Sequence, residues 1–168
     1  VWYPTRGGYH RLTAVRHDSD DFPSFTEVIA DLRQFVSLPW DHVLALRAWG
    51  REVDGSVPPE DMLFWGGPEN LRGFHYGQFE GEEGWLASIE YRWPLFLMPI
   101  SADGRVIAVG LHAFGDVGEV VYDEGSGETR HDFGAGVHLG ISDHQFRFEM
   151  ARTSDDRTSF VFMDSFNF

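Results

Sequence analysis

Strict period-two alternation dominates this chain, and it limits the fold to β-structure with one apolar face per strand. Successive side chains of a strand point to opposite faces, so alternation of apolar with polar or small residues marks a half-covered strand. Trp85, Ala87, Ile89, Tyr91 and Trp93 alternate with Ser88, Glu90 and Arg92. Ile107, Val109, Leu111 and Ala113 alternate with Gly110, His112, Phe114 and Asp116. Phe133, Ala135, Val137, Leu139 and Ile141 alternate with Gly134, Gly136, His138 and Gly140, and Phe146, Phe148 and Met150 with Arg147 and Glu149. Eight strands are expected, at 9–18, 24–38, 42–54, 85–96, 105–121, 130–142, 145–155 and 158–168. No run approaches the roughly 18 apolar residues that a membrane helix requires. The fold class is all-β and antiparallel, and a soluble sandwich satisfies alternation as well as a barrel does.

Composition removes several functions. Asp and Glu outnumber Lys and Arg 27 to 13, for a net charge of −14. A surface this acidic repels phosphate backbones, so no nucleic-acid partner is expected. Without cysteine there is no disulfide frame and no thiolate ligand or nucleophile. Fifteen Phe, six Trp and nineteen Gly suit a β-protein with long loops. Val1-Trp2-Tyr3-Pro4 has no basic segment leading into an apolar one, so the chain is expected to be a trimmed mature form or a piece of something longer. No repeat and no low-complexity linker divides it, and residues 1–168 read as one domain.

Two features favour the barrel. Long or acidic links (His17 to Ser24, Asp54 to Gly84, Tyr122 to Arg130, Ser154 to Thr158) take turns with tight ones at Pro39–Asp41, Leu97–Gly104 and Ser142–His144. Outer-membrane barrels have this rhythm of longer extracellular loops and short periplasmic turns, and a sandwich has no reason for it. The final strand then carries Phe160, Phe162, Phe166 and Phe168 on one face, as an aromatic girdle would. Asp164 falls on that same face and departs from the pattern.

The long link, at about 55–84, contains Leu63-Phe64-Trp65-Gly66-Gly67-Pro68-Glu69-Asn70-Leu71-Arg72-Gly73-Phe74. A guanidinium is permanently charged and presents a planar fork of donors suited to a carboxylate. Gly73 lets the backbone approach a wall, and Phe74 supplies apolar packing. Glu90 and Asp116, on polar strand faces, are candidate acceptors for Arg72, with Arg92 competing for Glu90. Read from residues alone, Arg72 is a solvated loop arginine and Asp116 a turn residue before the two are an ion pair.

The loop motif resembles that of the BamA and two-partner-secretion superfamily (bacterial surface antigen), in which a Gly-Gly turn precedes a hydrophobic residue, Arg, Gly and an aromatic. Ile89-Glu90-Tyr91-Arg92-Trp93-Pro94-Leu95 resembles the strand that follows. Phe114-Gly115-Asp116-Val117-Gly118 is similar to the aromatic-x-Asp-x-Gly signature, and His131–Val137 to the Gly-rich strand beyond it. The order and spacing agree over nearly the whole chain. The resemblance implies a transmembrane β-barrel of the bacterial outer membrane, with this chain as the C-terminal half of a sixteen-stranded barrel. It implies a loop that folds into the lumen and is locked there by Arg72 on Asp116 and Glu90. It also implies a terminal aromatic signal at Phe166 and Phe168. An eight-stranded barrel has room only for side chains, so a lumenal loop itself argues for more strands. The implied function is assembly or export of polypeptides, using the 158–168 strand as one wall of a seam. The implied partners are the lipid bilayer, client or passenger polypeptides and upstream periplasmic domains. A barrel that only anchors, or serves as a surface antigen, is the second reading, and an upstream enzyme domain would support it.

Other constellations carry less. His112 and His138 fall on polar faces of neighbouring strands but lack metal-ligand spacing, and read as polar interior histidines. Asp18, Asp20, Asp21, Asp123 and Glu124 are acidic loop residues without an EF-hand pattern. There is no GxSxG nucleophile elbow, Gly125-Ser126-Gly127 is a loop tip, and Gly134-x-Gly136 lacks a strand-to-helix context. No enzyme activity, cofactor or metal is expected.

Overall fold

The computed structural model describes residues 4–18, 22–100, 106–122, 127–141 and 144–164. Its strands are β1 (Gly7–His17), β2 (Phe25–Ser37), β3 (Val43–Asp54), β4 (Leu63–Trp65), β5 (Phe79–Gly81), β6 (Glu83–Pro99), β7 (Val106–Val121), β8 (Arg130–Ile141), β9 (His144–Thr153) and β10 (Thr158–Met163). Eight of these form one antiparallel meander in the order β1-β2-β3-β6-β7-β8-β9-β10. The sheet is open, with β1 and β10 as its edges. These eight strands form one continuous sheet, and not two facing sheets.

Two features depart from the expected strands. The β4–β5 hairpin lies inside the long link and forms its own small sheet, pairing Leu63 with Gly81 and Trp65 with Phe79. The second is β6, expected to end at 96, which runs through Pro94 and on to Pro99. A bulge between Pro94 and Phe96 absorbs Pro94 and lets β6 stay paired with β7. Phe166 and Phe168 lie outside the described residues.

The two faces of the sheet are chemically opposite. One face, against which the 55–82 loop folds, buries Asp31, Arg51, Glu90, Arg92, His112, Asp116, Asp132, His138, Arg147 and Glu149. The other leaves Leu12, Leu32, Ile89, Trp93, Phe133, Phe148, Phe160 and Phe162 exposed. A water-soluble sheet does the reverse, because apolar area removed from water is what drives its folding. Here the polar side is inside. Arg16, Glu52, Asp54, Glu119 and Arg152 also point outward, and each stands near the long-link end of its strand. Asp164 is exposed just beyond the end of β10.

Candidate functional site

The loop reaches its position through local turn chemistry. Gly66 has φ +102°, a backbone state open to glycine, and a side chain there would meet the His75 carbonyl oxygen at 2.1 Å. Gly67 N–H donates to the carbonyl oxygens of Leu71 (3.2 Å) and Phe74 (3.0 Å), closing a compact tip. Trp65, Leu71 and Phe74 then pack with Leu86 of β6, flanked by Trp49 of β3 and Val120 of β7. Burying side chains of this size stabilises by about 1.5–3 kcal/mol each. From β3, Arg47 donates to the Glu69 carbonyl (3.0 Å) and Arg51 to the Asp61 carbonyl (2.7 Å). The loop is therefore fastened by an apolar cluster and by two guanidiniums, Arg47 and Arg51, that flank Trp49 of that cluster along β3.

Arg72, between Leu71 and Gly73, extends from this tip into the polar face and is 1% exposed. Its Nε donates to Asp116 Oδ2 at 2.7 Å and its Nη2 to Asp116 Oδ1 at 3.0 Å, a two-pronged pairing. Its Nη1 donates to Glu90 Oε2 at 2.6 Å. The guanidinium carbon lies 3.7 Å from the Phe114 ring centroid, a cation–π contact with the residue two before Asp116. Burial works against the charge, but Asp116, Glu90 and Glu149 outweigh it and hold the guanidinium above its ordinary range.

Glu90 is the hub. It accepts Arg92 Nε on Oε1 (2.7 Å), and both Arg72 and Arg147 Nη2 (2.7 Å) on Oε2. The competition between Arg72 and Arg92 for this carboxylate resolves as sharing, since it has two oxygens and several lone pairs. Glu149 of β9 takes Arg147 (2.6 Å) and His112 Nε2 (2.8 Å) on the same oxygen, which is also 3.7 Å from Arg72 Nη1. His138 places Nδ1 at 3.4 Å from Nδ1 of His112. Asp132 faces Asp116 directly across the β7–β8 pair, is 2% exposed, and has neither carboxylate oxygen in a conventional hydrogen bond.

Thus Leu71, Arg72, Gly73, Phe74, Glu90 and Asp116 meet in one place, while Phe166 and Phe168 are not described. Arg147, Glu149 and His112 join them unannounced by the sequence motifs. Their only signal was membership of the polar face, which assigns a side and not a neighbour. Of the acidic loop residues, Asp18 pairs with Arg16 at 3.0 Å, and Asp20, Asp21, Asp123 and Glu124 fall outside the described residues.

Within this network the bonds between loop and wall run from Arg72 to Asp116 and Glu90. An inverted β-sheet with a loop arginine bound to two strand carboxylates narrows the relatives, and the Omp85 superfamily domain matches residues 2–162. The chain belongs to the Omp85 superfamily. No curated protein matches it. Omp85 proteins are in general outer-membrane barrels that insert or secrete proteins, and the all-β antiparallel sheet accords with that class. The Omp85 match covers both the loop and the strands that receive it.

Proposed function

We propose that this chain is the C-terminal half of a sixteen-stranded outer-membrane barrel, of which the upstream strands pair with β1 and β10. The barrel assembles or exports client polypeptides across the outer membrane, with β10 as one wall of the seam at which a client strand adds. An unpaired edge offers N–H and C=O groups at regular spacing, which is what an incoming strand needs. The loop occupies the lumen and Arg72 locks it there through Asp116 and Glu90. The role of the lock is mechanical and gating, and the reading includes no enzyme activity and no cofactor.

The observation that carries this reading is Arg72, a loop residue 1% exposed and forked onto Asp116 of one strand while bonded to Glu90 of another. A charge so placed is held only if its partners stay in place, because stripping one member from a buried pair costs about 3–5 kcal/mol. A loop fastened at that cost blocks a pore and yields only when the pairing is exchanged. The test is conductance of the full-length barrel in planar bilayers, before and after Arg72→Ala. The variant is expected to pass more current and to flicker between levels, as an untethered loop leaves and re-enters. Identical conductance in the two proteins would remove the lock from this account.

A further inference from the structure

The residue after the arginine reaches farther than the lock requires. Ser159 of β10 donates its hydroxyl to the Gly73 carbonyl oxygen. A Cβ at Gly73 would stand 2.7 Å from Thr153 Cγ2, 2.9 Å from Asp132 Cβ and 3.3 Å from Ala151 Cβ, so the bare backbone is seated against β8 and β9. Arg72 meanwhile holds β6 and β7 and comes within 3.7 Å of Glu149 on β9. Two consecutive residues therefore touch five successive strands, ending on the edge strand.

That edge strand is lightly held. Among the described residues, β10 pairs in the sheet with β9 alone, over Thr158–Met163. A cavity of about 520 Å³, lined by Tyr76 and Gln78 of the loop and by Phe160 and Val161 of β10, separates the strand from the rest of the loop tip. The Ser159–Gly73 bond is thus a point tie beside open space, and not one contact within a flush interface.

We propose that the Arg72–Gly73 step is a clamp on the edge strand: Ser159 ties β10 to the loop, so release of the loop loosens the seam wall. This rests on the reading of the loop as a lumenal lock and adds its regulation, since one motion then opens both the lumen and the edge. Ser159 is a positioning residue, and Arg147 and Glu149 carry the connection through β9 by joining Glu90 to the strand next to the edge.

Hydrogen–deuterium exchange of the full-length protein in lipid nanodiscs tests the clamp. Loss of one such hydrogen bond corresponds to about a fivefold change in a local opening equilibrium. Ser159→Ala is expected to speed exchange across 158–163 by about that factor while 85–93 stays protected, and Ser159→Thr, which keeps the hydroxyl, to restore the slow rate. Arg72→Ala is expected to speed 158–163 by more than tenfold. Exchange across 158–163 within twofold of the unmodified protein in both Ser159→Ala and Arg72→Ala would overturn the clamp. Because conductance reports the lock and exchange reports the edge, failure of the clamp with the lock intact is distinguishable from failure of the lock itself.

Discussion

At the scale of single residues, the polar face holds three fully buried guanidiniums, Arg72, Arg92 and Arg147, among four carboxyl groups. Glu90, Asp116 and Glu149 are all bonded to cations, and Asp132 is the remainder, set opposite Asp116 with no conventional hydrogen bond to either oxygen. Two acidic groups so close raise each other's cost, whereas an amide in the same volume brings donors that the Asp116 oxygens still have lone pairs to accept. Asp132→Asn is therefore expected to stabilise the barrel by about 1–2 kcal/mol, seen as a higher temperature for the heat-induced gel shift in detergent. A lower temperature would mean that Asp132 supports Arg72 electrostatically more than it burdens Asp116. How legible this was differs residue by residue. Arg72, Glu90 and Asp116 stand out because the motif and the alternation single them out. Glu149 does not, since nothing in a linear pattern says that the loop tip lands within reach of β9. Alternation places His112 on the polar face, where it is buried, yet its partner Glu149 depends on the pairing of three strands in series.

At the scale of elements, the sheet strands begin and end within two residues of the expected places wherever both ends are described, except β6, which ends at Pro99 against an expected 96. Alternation and acidic turns are local signals, and local signals mark the limits of strands well. The exceptions have local causes too. β6 passes through Pro94, as expected, but runs on to Pro99 because a bulge between Pro94 and Phe96 carries the proline and β6 needs only β7 as its partner beyond Arg92. The β4–β5 hairpin has three residues per strand, too short for any period to register, and it exists because Gly66 permits a turn that no other residue would. Gly66→Ala tests that dependence. Its methyl group would require φ +102° and would collide with the His75 carbonyl, so the tip must rebuild. A loss of about 2–3 kcal/mol in the local stability of the hairpin is expected. Limited proteolysis should then cut within 66–78 at least tenfold faster, with the sheet strands still intact. A cleavage rate equal to that of the unmodified protein would show that the apolar cluster of Trp65, Leu71 and Phe74 alone sets the loop conformation.

At the scale of the whole molecule, the decisive property is the reversal of inside and outside. Ile89, near the middle of β6, is 49% exposed, while its chain neighbour Glu90 is fully buried. In water this arrangement wastes apolar area and strands charges. In a bilayer it is the favourable one, because lipid receives the apolar face and the strands between the two edges satisfy one another's backbone hydrogen bonds. The net charge of −14 is compatible with lipid because outward-pointing charges such as Glu52, Asp54 and Glu119 lie near strand ends. Ile89→Arg separates the two environments. A cation on a lipid-facing position near the midplane costs about 2–4 kcal/mol, whereas the same arginine on a water-washed strand costs little. The variant in the full-length barrel is expected to fold into phosphatidylcholine vesicles with at least a tenfold lower folded-to-unfolded ratio, read from the heat-sensitive mobility of the folded form. Ile89→Leu serves as the control for side-chain shape and should match the unmodified protein. Were the arginine variant to insert as well as the leucine one, that face of β6 would be facing water or another protein surface, and the membrane-spanning assignment of the sheet would fall with it.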